Sequence, residues 1–105
     1  MRVAVLGGPD GLVQLLGASR ALRGRFEVIV LFETSRAGLE RRLPASLRAR
    51  DGALWIAWPK RSSGLASDLD DGVVRQIGLA TGLVDNKVCA IDETWSGLRF
   101  VARRR

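Results

Sequence analysis

The apolar residues fall in short runs, and the runs are of two kinds. Arg2 to Leu6 is a short β-branched run closed by Gly7-Gly8-Pro9, the pattern of a strand that stops at a tight turn. Val28 to Phe32 and Ala53 to Trp58 are apolar without polar alternation, which suits strands covered on both faces in a parallel sheet. Leu39, Leu43 and Leu47 instead recur at every fourth position with arginines between them, the stripe of an amphipathic helix starting near Arg36. Thr34 or Ser35 is placed to cap it. Pro44 cannot donate a backbone hydrogen bond and crowds the preceding turn, so two short helices are expected, the second beginning at Pro44.

The remaining stretches are read in the same way. Leu12, Val13, Leu15 and Leu16 give an apolar face to a weak helix over residues 11–18, with Asp10 as its cap and Gly11 and Gly17 against it. Ala21-Leu22-Arg23 either extends that helix or forms a minimal strand. Ser67 to Asp70 offers a cap and first-turn acids for a helix running to about Ala80, with Leu69, Val73, Ile77 and Leu79 inward and Gly82 ending it. Val88–Ile91 and Leu98–Val101 then read as a hairpin around the turn Asp92 to Gly97.

Alternating strands and helices imply a parallel sheet, and a closing hairpin forces the last strand to run against the others. The expected fold class is therefore α/β: a small Rossmann-like three-layer sandwich over residues 1–105, mostly parallel, with an antiparallel C-terminal hairpin strand. By analogy of shape alone this is the sheet used by methyltransferases.

Charge adds one question. The net charge is +6, and Arg outnumbers Lys 15 to 2. Residues 20–50 carry eight Arg against three Glu, and Arg99, Arg103, Arg104 and Arg105 crowd the end of the chain. A basic half can meet nucleic acid, or it can be a solvated helix face and tail; both readings stand. The apolar runs fall far short of the roughly 20 residues a membrane helix needs, and no export signal is read. Cys89 is the only cysteine and lies in an apolar run, the setting of a small buried hydrophobe. A cytoplasmic location is expected.

Two longer stretches carry a family resemblance. Ala53 to Leu69, with Trp55-Ile56-Ala57-Trp58-Pro59-Lys60 at its heart, is one. Gly82 to Val101, with Gly-Leu-Val-Asp-Asn-Lys-Val-Cys-Ala-Ile-Asp followed by Trp-Ser-Gly-Leu-Arg-Phe, is the other. Together they resemble the bacterial family known as domain of unknown function 3052. The resemblance implies a fold and a bacterial source but no activity. The family's segment ahead of the first strand is expected to be absent here.

Catalytic constellations are sparse. There is no histidine, which excludes His-based triads and His metal sites, and one cysteine cannot make a zinc site. Asp68, Asp70 and Asp71 sit where helix capping is their ordinary role, so no metal is expected. Ligands of parallel sheets collect beyond the strands' carboxyl ends. Candidate ligand-binding residues on that edge are Gly7 and Gly8, then Lys60, Ser62, Ser63 and Gly64, then Thr94 and Trp95. Gly7-Gly8 lacks the full spacing of a dinucleotide loop, and no acid is read at the end of a second strand to hold a ribose. Lys60 to Gly64 offers cations, hydroxyls and a glycine to a phosphate or carboxylate. Trp95 either stacks on a flat ligand or caps the core.

From these residues the expectation is a domain that binds rather than catalyses, taking an anionic small molecule or a protein partner, with no cofactor. The alternatives are a homo-oligomeric interaction protein and nucleic-acid binding through the Arg-rich helix and tail. No membrane partner is expected.

Overall fold

A computed structural model describes residues 1–103; Arg104 and Arg105, counted above in the basic tail, lie outside the described residues. Five strands, β1 (Val3–Leu6), β2 (Phe26–Phe32), β3 (Arg50–Pro59), β4 (Val84–Ala90) and β5 (Trp95–Val101), form one sheet in the order β1-β2-β3-β5-β4. β1, β2 and β3 are parallel neighbours. β5 is inserted antiparallel between β3 and β4. The expected antiparallel closing strand is thus present, and β4 runs with the first three.

Three helices cover the sheet unequally. α2 (Arg36–Ala49) and α3 (Asp71–Leu79) share one face, where Leu39, Leu43, Val74 and Ile77 pack on Ile29, Leu31, Leu54, Ile56, Leu98 and Phe100. α1 (Asp10–Leu16) lies on the other face, with Leu12 and Val13 against Val5, Val30 and Phe32. Leu15 is 81% exposed, so the apolar face expected of this helix is only half used. Asp10 does not cap α1; it opens the helix and pairs with Arg20. Ser19 forms a single parallel bridge to Ala4, so the outer edge of β1 is paired just ahead of the expected Ala21–Arg23.

α2 is one helix, where two were expected. Ser35 caps it by accepting from Gly38 N at 3.0 Å. Pro44 lies inside it at an exposed position, at the loss of one backbone hydrogen bond, while buried Ser46 donates to Arg42 O at 2.9 Å. Buried Leu39 and Leu43 before Pro44, and Ser46 and Ala49 after it, hold the helix across that position. Asp70 caps α3, accepting from Val73 N at 2.8 Å.

The hairpin is longer than the apolar runs suggested. β4 begins at Val84, and Trp95 is already paired with Pro59. The register shifts between Asp85 and Lys87, leaving Asn86 as the extra residue of a bulge. Cys89 is partly exposed because no helix lies over it.

Candidate functional site

The strands' carboxyl ends form an edge with two distinct halves. At β1 and β2 the chain turns at Gly7, whose φ of +76° lies in the left-handed region. A Cβ there would stand 2.8 Å from Phe32 O and 2.9 Å from Arg42 Nη1. At Gly8 a Cβ would meet the Phe32 ring at 2.4 Å. Two adjacent positions therefore admit only glycine, and Gly7 presents bare backbone to solvent.

Beside this turn stands Glu33, directly after β2. Its side chain is only 10% exposed and pairs with Arg42 Nη1 at 3.2 Å. Contact without good alignment leaves Oε2 with no hydrogen-bond donor among the described residues. Burial pushes the carboxyl above the usual carboxylate range, and Arg42 and Arg41 pull against that shift. Gly38 at the start of α2 makes room for this carboxylate, since a Cβ there would meet Oε1 at 2.7 Å. No acid was expected at the end of a second strand; Glu33 is one. The signal was present, because Glu33 is the first polar residue after Val28–Phe32.

The other half of the edge holds most of the candidates read from sequence. Lys60 is committed to structure: its Nζ donates to Asp92 O at 2.5 Å and its amide to Thr94 O at 2.8 Å. Arg61–Ser63 form a single 3₁₀ turn that ends at Gly64 with φ +78°. The Ser63 hydroxyl donates to Lys60 O at 2.7 Å, and Ser62 is exposed. Asp92 closes the hairpin by accepting from the amides of Thr94 and Trp95, each at 2.8 Å. Trp95 meets Phe32 edge-on with ring centroids 5.0 Å apart. Gly8, Phe32 and Trp95 are therefore stacked in one contact line, whereas Ser62 and Gly64 stand apart from it.

A cleft of ≈ 420 Å³ opens between this turn, α3 and β4. Its walls carry Lys60 and Arg61 but equally Asp70 and Asp71. Two carboxylates beside two cations make a poor anion site. A larger groove of ≈ 490 Å³ runs between α2 and α3, lined by Leu43, Pro44, Leu47 and Ile77, away from the strand ends.

No family model matches the chain, and no curated protein does. Solved structures do. Magnesium protoporphyrin IX methyltransferase from Synechocystis PCC 6803 with bound SAH (S-adenosylhomocysteine) matches at a TM-score of 0.64 and 10% identity, over 90% of this chain and 57% of that one. The same enzyme with bound SAM (S-adenosylmethionine) gives 0.61 and 11%, over 90% and 52%. A methyltransferase-like chain from Pseudomonas syringae gives 0.55 and 13%, over 95% and 86%. The chain spans about half the length of the protoporphyrin methyltransferase.

The fold is thus methyltransferase-like, and two expectations are corrected. A non-catalytic domain for an anion or a protein partner was expected, but the matched structures described above are of a methyltransferase and of a methyltransferase-like chain, a catalytic class. No cofactor was expected, but two of those structures hold SAH or SAM. Both expectations arose from weighing the Lys60 loop above the glycine turn and from giving the acid that follows β2 no role in holding a ribose.

Proposed function

We propose that the chain is a methyltransferase-type domain that holds S-adenosylmethionine, or its spent form S-adenosylhomocysteine, at the ends of β1 and β2. One observation carries this: a glycine-only turn at Gly7-Gly8 lies beside a buried carboxylate, Glu33, whose Oε2 is ion-paired with Arg42 but accepts no hydrogen bond among the described residues. The residues fit the group. Gly7 exposes its backbone at the strand end, and Glu33 Oε2, which accepts no hydrogen bond among the described residues, can accept from a ribose hydroxyl. Bound there, the cofactor supplies a methyl group activated on sulfur. The chain's own residues bind and orient: Gly7 and Gly8 through backbone, Glu33 through its carboxylate, and Arg42 by pairing with that carboxylate against the effect of burial.

The family reading, domain of unknown function 3052, rests on Ala53–Leu69 and Gly82–Val101. A three-layer arrangement is supported by α1 packing opposite α2 and α3.

Calorimetry and thermal unfolding with SAM and SAH test the proposal. A ligand at one hundred times its Kd stabilises by about 2.7 kcal/mol, a rise on the order of 10 °C for a domain of this size. Glu33→Gln keeps the shape but weakens the acceptor; it is expected to bind SAH at least about tenfold more weakly, one hydrogen bond to a charged group being involved. Absence of any shift at millimolar ligand, or wild-type affinity in Glu33→Gln, overturns it.

A further inference from the structure

On the face of the sheet opposite α2 and α3, α1 covers β1 and β2, and Ile91 and Trp95 close over Ala57 at the carboxyl end of β3. Across β3, β5 and β4 it carries a ladder fixed by register. Trp55 is directly opposite Arg99, and Arg99 directly opposite Lys87. Directly opposed residues of antiparallel strands share a face, about 5 Å apart. Trp55 packs with the cluster on the α1 side, so all three side chains stand on that side. The row on one side is Ala57, Gly97 and Cys89, and the next pair on the other is Val101 and Val84. None of these is acidic.

Arg99 and Lys87 are like charges side by side, which ordinarily destabilises a sheet. Among the described residues neither has an ion-pair partner. Asp85, the acid nearest in sequence to Lys87, faces the other side, opposite Phe100. An added Cβ on Gly97 would meet Ile91 Cδ1 at 2.9 Å and Trp55 Cε3 at 3.3 Å, so Ile91 and the indole share the space over Gly97, and Trp55 is partly exposed. An aromatic platform beside two uncompensated cations on an open sheet is the chemistry that receives a stacked base with its phosphates.

We propose that the open β3-β5-β4 face binds single-stranded nucleic acid, with a base on Trp55 and backbone phosphates on Arg99 and Lys87. The charge complementarity of this row selects that occupant over a protein surface. It does not depend on cofactor binding at the glycine turn. The site also differs from the Arg-rich helix, since α2 lies on the opposite face.

Fluorescence polarisation of the 105-residue chain with a labelled 12-nucleotide oligouridylate, and with a duplex of equal length, tests this. Single-strand binding is expected to exceed duplex binding and to fall as salt rises. Arg99→Ala and Lys87→Ala should each reduce the log–log salt slope by about 0.7. Trp55→Ala should weaken binding on the order of tenfold, with Trp55→Phe restoring most of it. If Trp55→Ala fails to fold, the Arg99→Glu/Lys87→Glu double variant decides, because those side chains are not core. Unaltered binding in that double variant overturns the proposal. So does loss of binding only in Arg41→Glu or Arg48→Glu, which puts the contact on α2. A concentration-dependent dimer in sedimentation that Arg99→Glu abolishes assigns the face to a second copy and overturns it too.

Discussion

Gly78 sits in α3 directly over the ring of Phe100. A Cβ there would stand 2.1 Å from Cζ and 2.2 Å from Cε1, and Phe100 is fully buried. The ring has nowhere to go, because Leu54 pairs with Phe100 in the register and both lie in the same core. Gly78→Ala gains helix propensity of about 1 kcal/mol. Overpacking of a filled core costs about 1–3 kcal/mol, and a contact this short lies at the upper end. Net destabilisation of about 1–2 kcal/mol is expected from urea unfolding at constant m-value; a stabilised variant contradicts it. Nothing in the sequence around Gly78 marks it. Its reason for being glycine is Phe100, 22 positions later, and no local pattern reaches that far. Glu33 is the converse: legible in place as the acid after an apolar run, but its burial beside Gly7 depends on α2 folding back over the sheet.

At the scale of elements, α3 and β4 are tied by Arg75 Nε donating to Asp85 Oδ2 at 2.9 Å. That hydrogen bond, more than the charge of Arg75, holds the Asp85 carboxyl below its ordinary 3.8. For an acid whose folded value is depressed, the stabilisation is complete above its unfolded value and is lost as pH falls through the folded one. Asp85→Asn is therefore expected to unfold at a lower denaturant midpoint than the wild type at pH 7. The gap should close progressively below about pH 3.8. A gap that persists unchanged at pH 2 refutes the tie. The Asp85-Asn86-Lys87 stretch lies within the second run that carries the family resemblance, and its roles are structural as well as electrostatic. Asp85 anchors the helix, Asn86 makes the bulge, and Lys87 returns to the opposite face. Element boundaries were legible where an apolar run met glycine or proline, as at Leu6 and Pro59. They were missed where pairing alone extended the strand, as at Val84 and Trp95, since a ladder hydrogen bond needs a partner and not a residue type.

At the scale of the whole molecule, stability is distributed from one edge to the other. β2 and β3 lie inside the sheet, and β5 is paired on both sides. α1 contributes no fully buried residue and has no capping side chain. Native-state hydrogen exchange is expected to find amides of β2, β3 and β5 opening only with global unfolding, and α1 amides at clearly lower free energy. Equal protection of α1 and β3 contradicts this. The opposite face of the same asymmetry is the uncovered ladder of Trp55, Arg99 and Lys87, which a sheet with a helix over every strand would have hidden.

By itself the sequence determined the element order, the mostly parallel sheet and the antiparallel closing strand. Each follows from local periodicity and from the rule that a tight turn joins antiparallel strands. It also held the glycines of the first turn in plain view. Tertiary structure alone decided which charges meet. Lys60, prominent in sequence, is spent on the hairpin turn, and Arg61 faces Asp70 and Asp71 across a cleft. Glu33 is buried against the glycine turn, and Arg99 is set between Trp55 and Lys87 by strand register. Burial and register are properties of residues far apart in the chain, and they turn ordinary charged positions into sites.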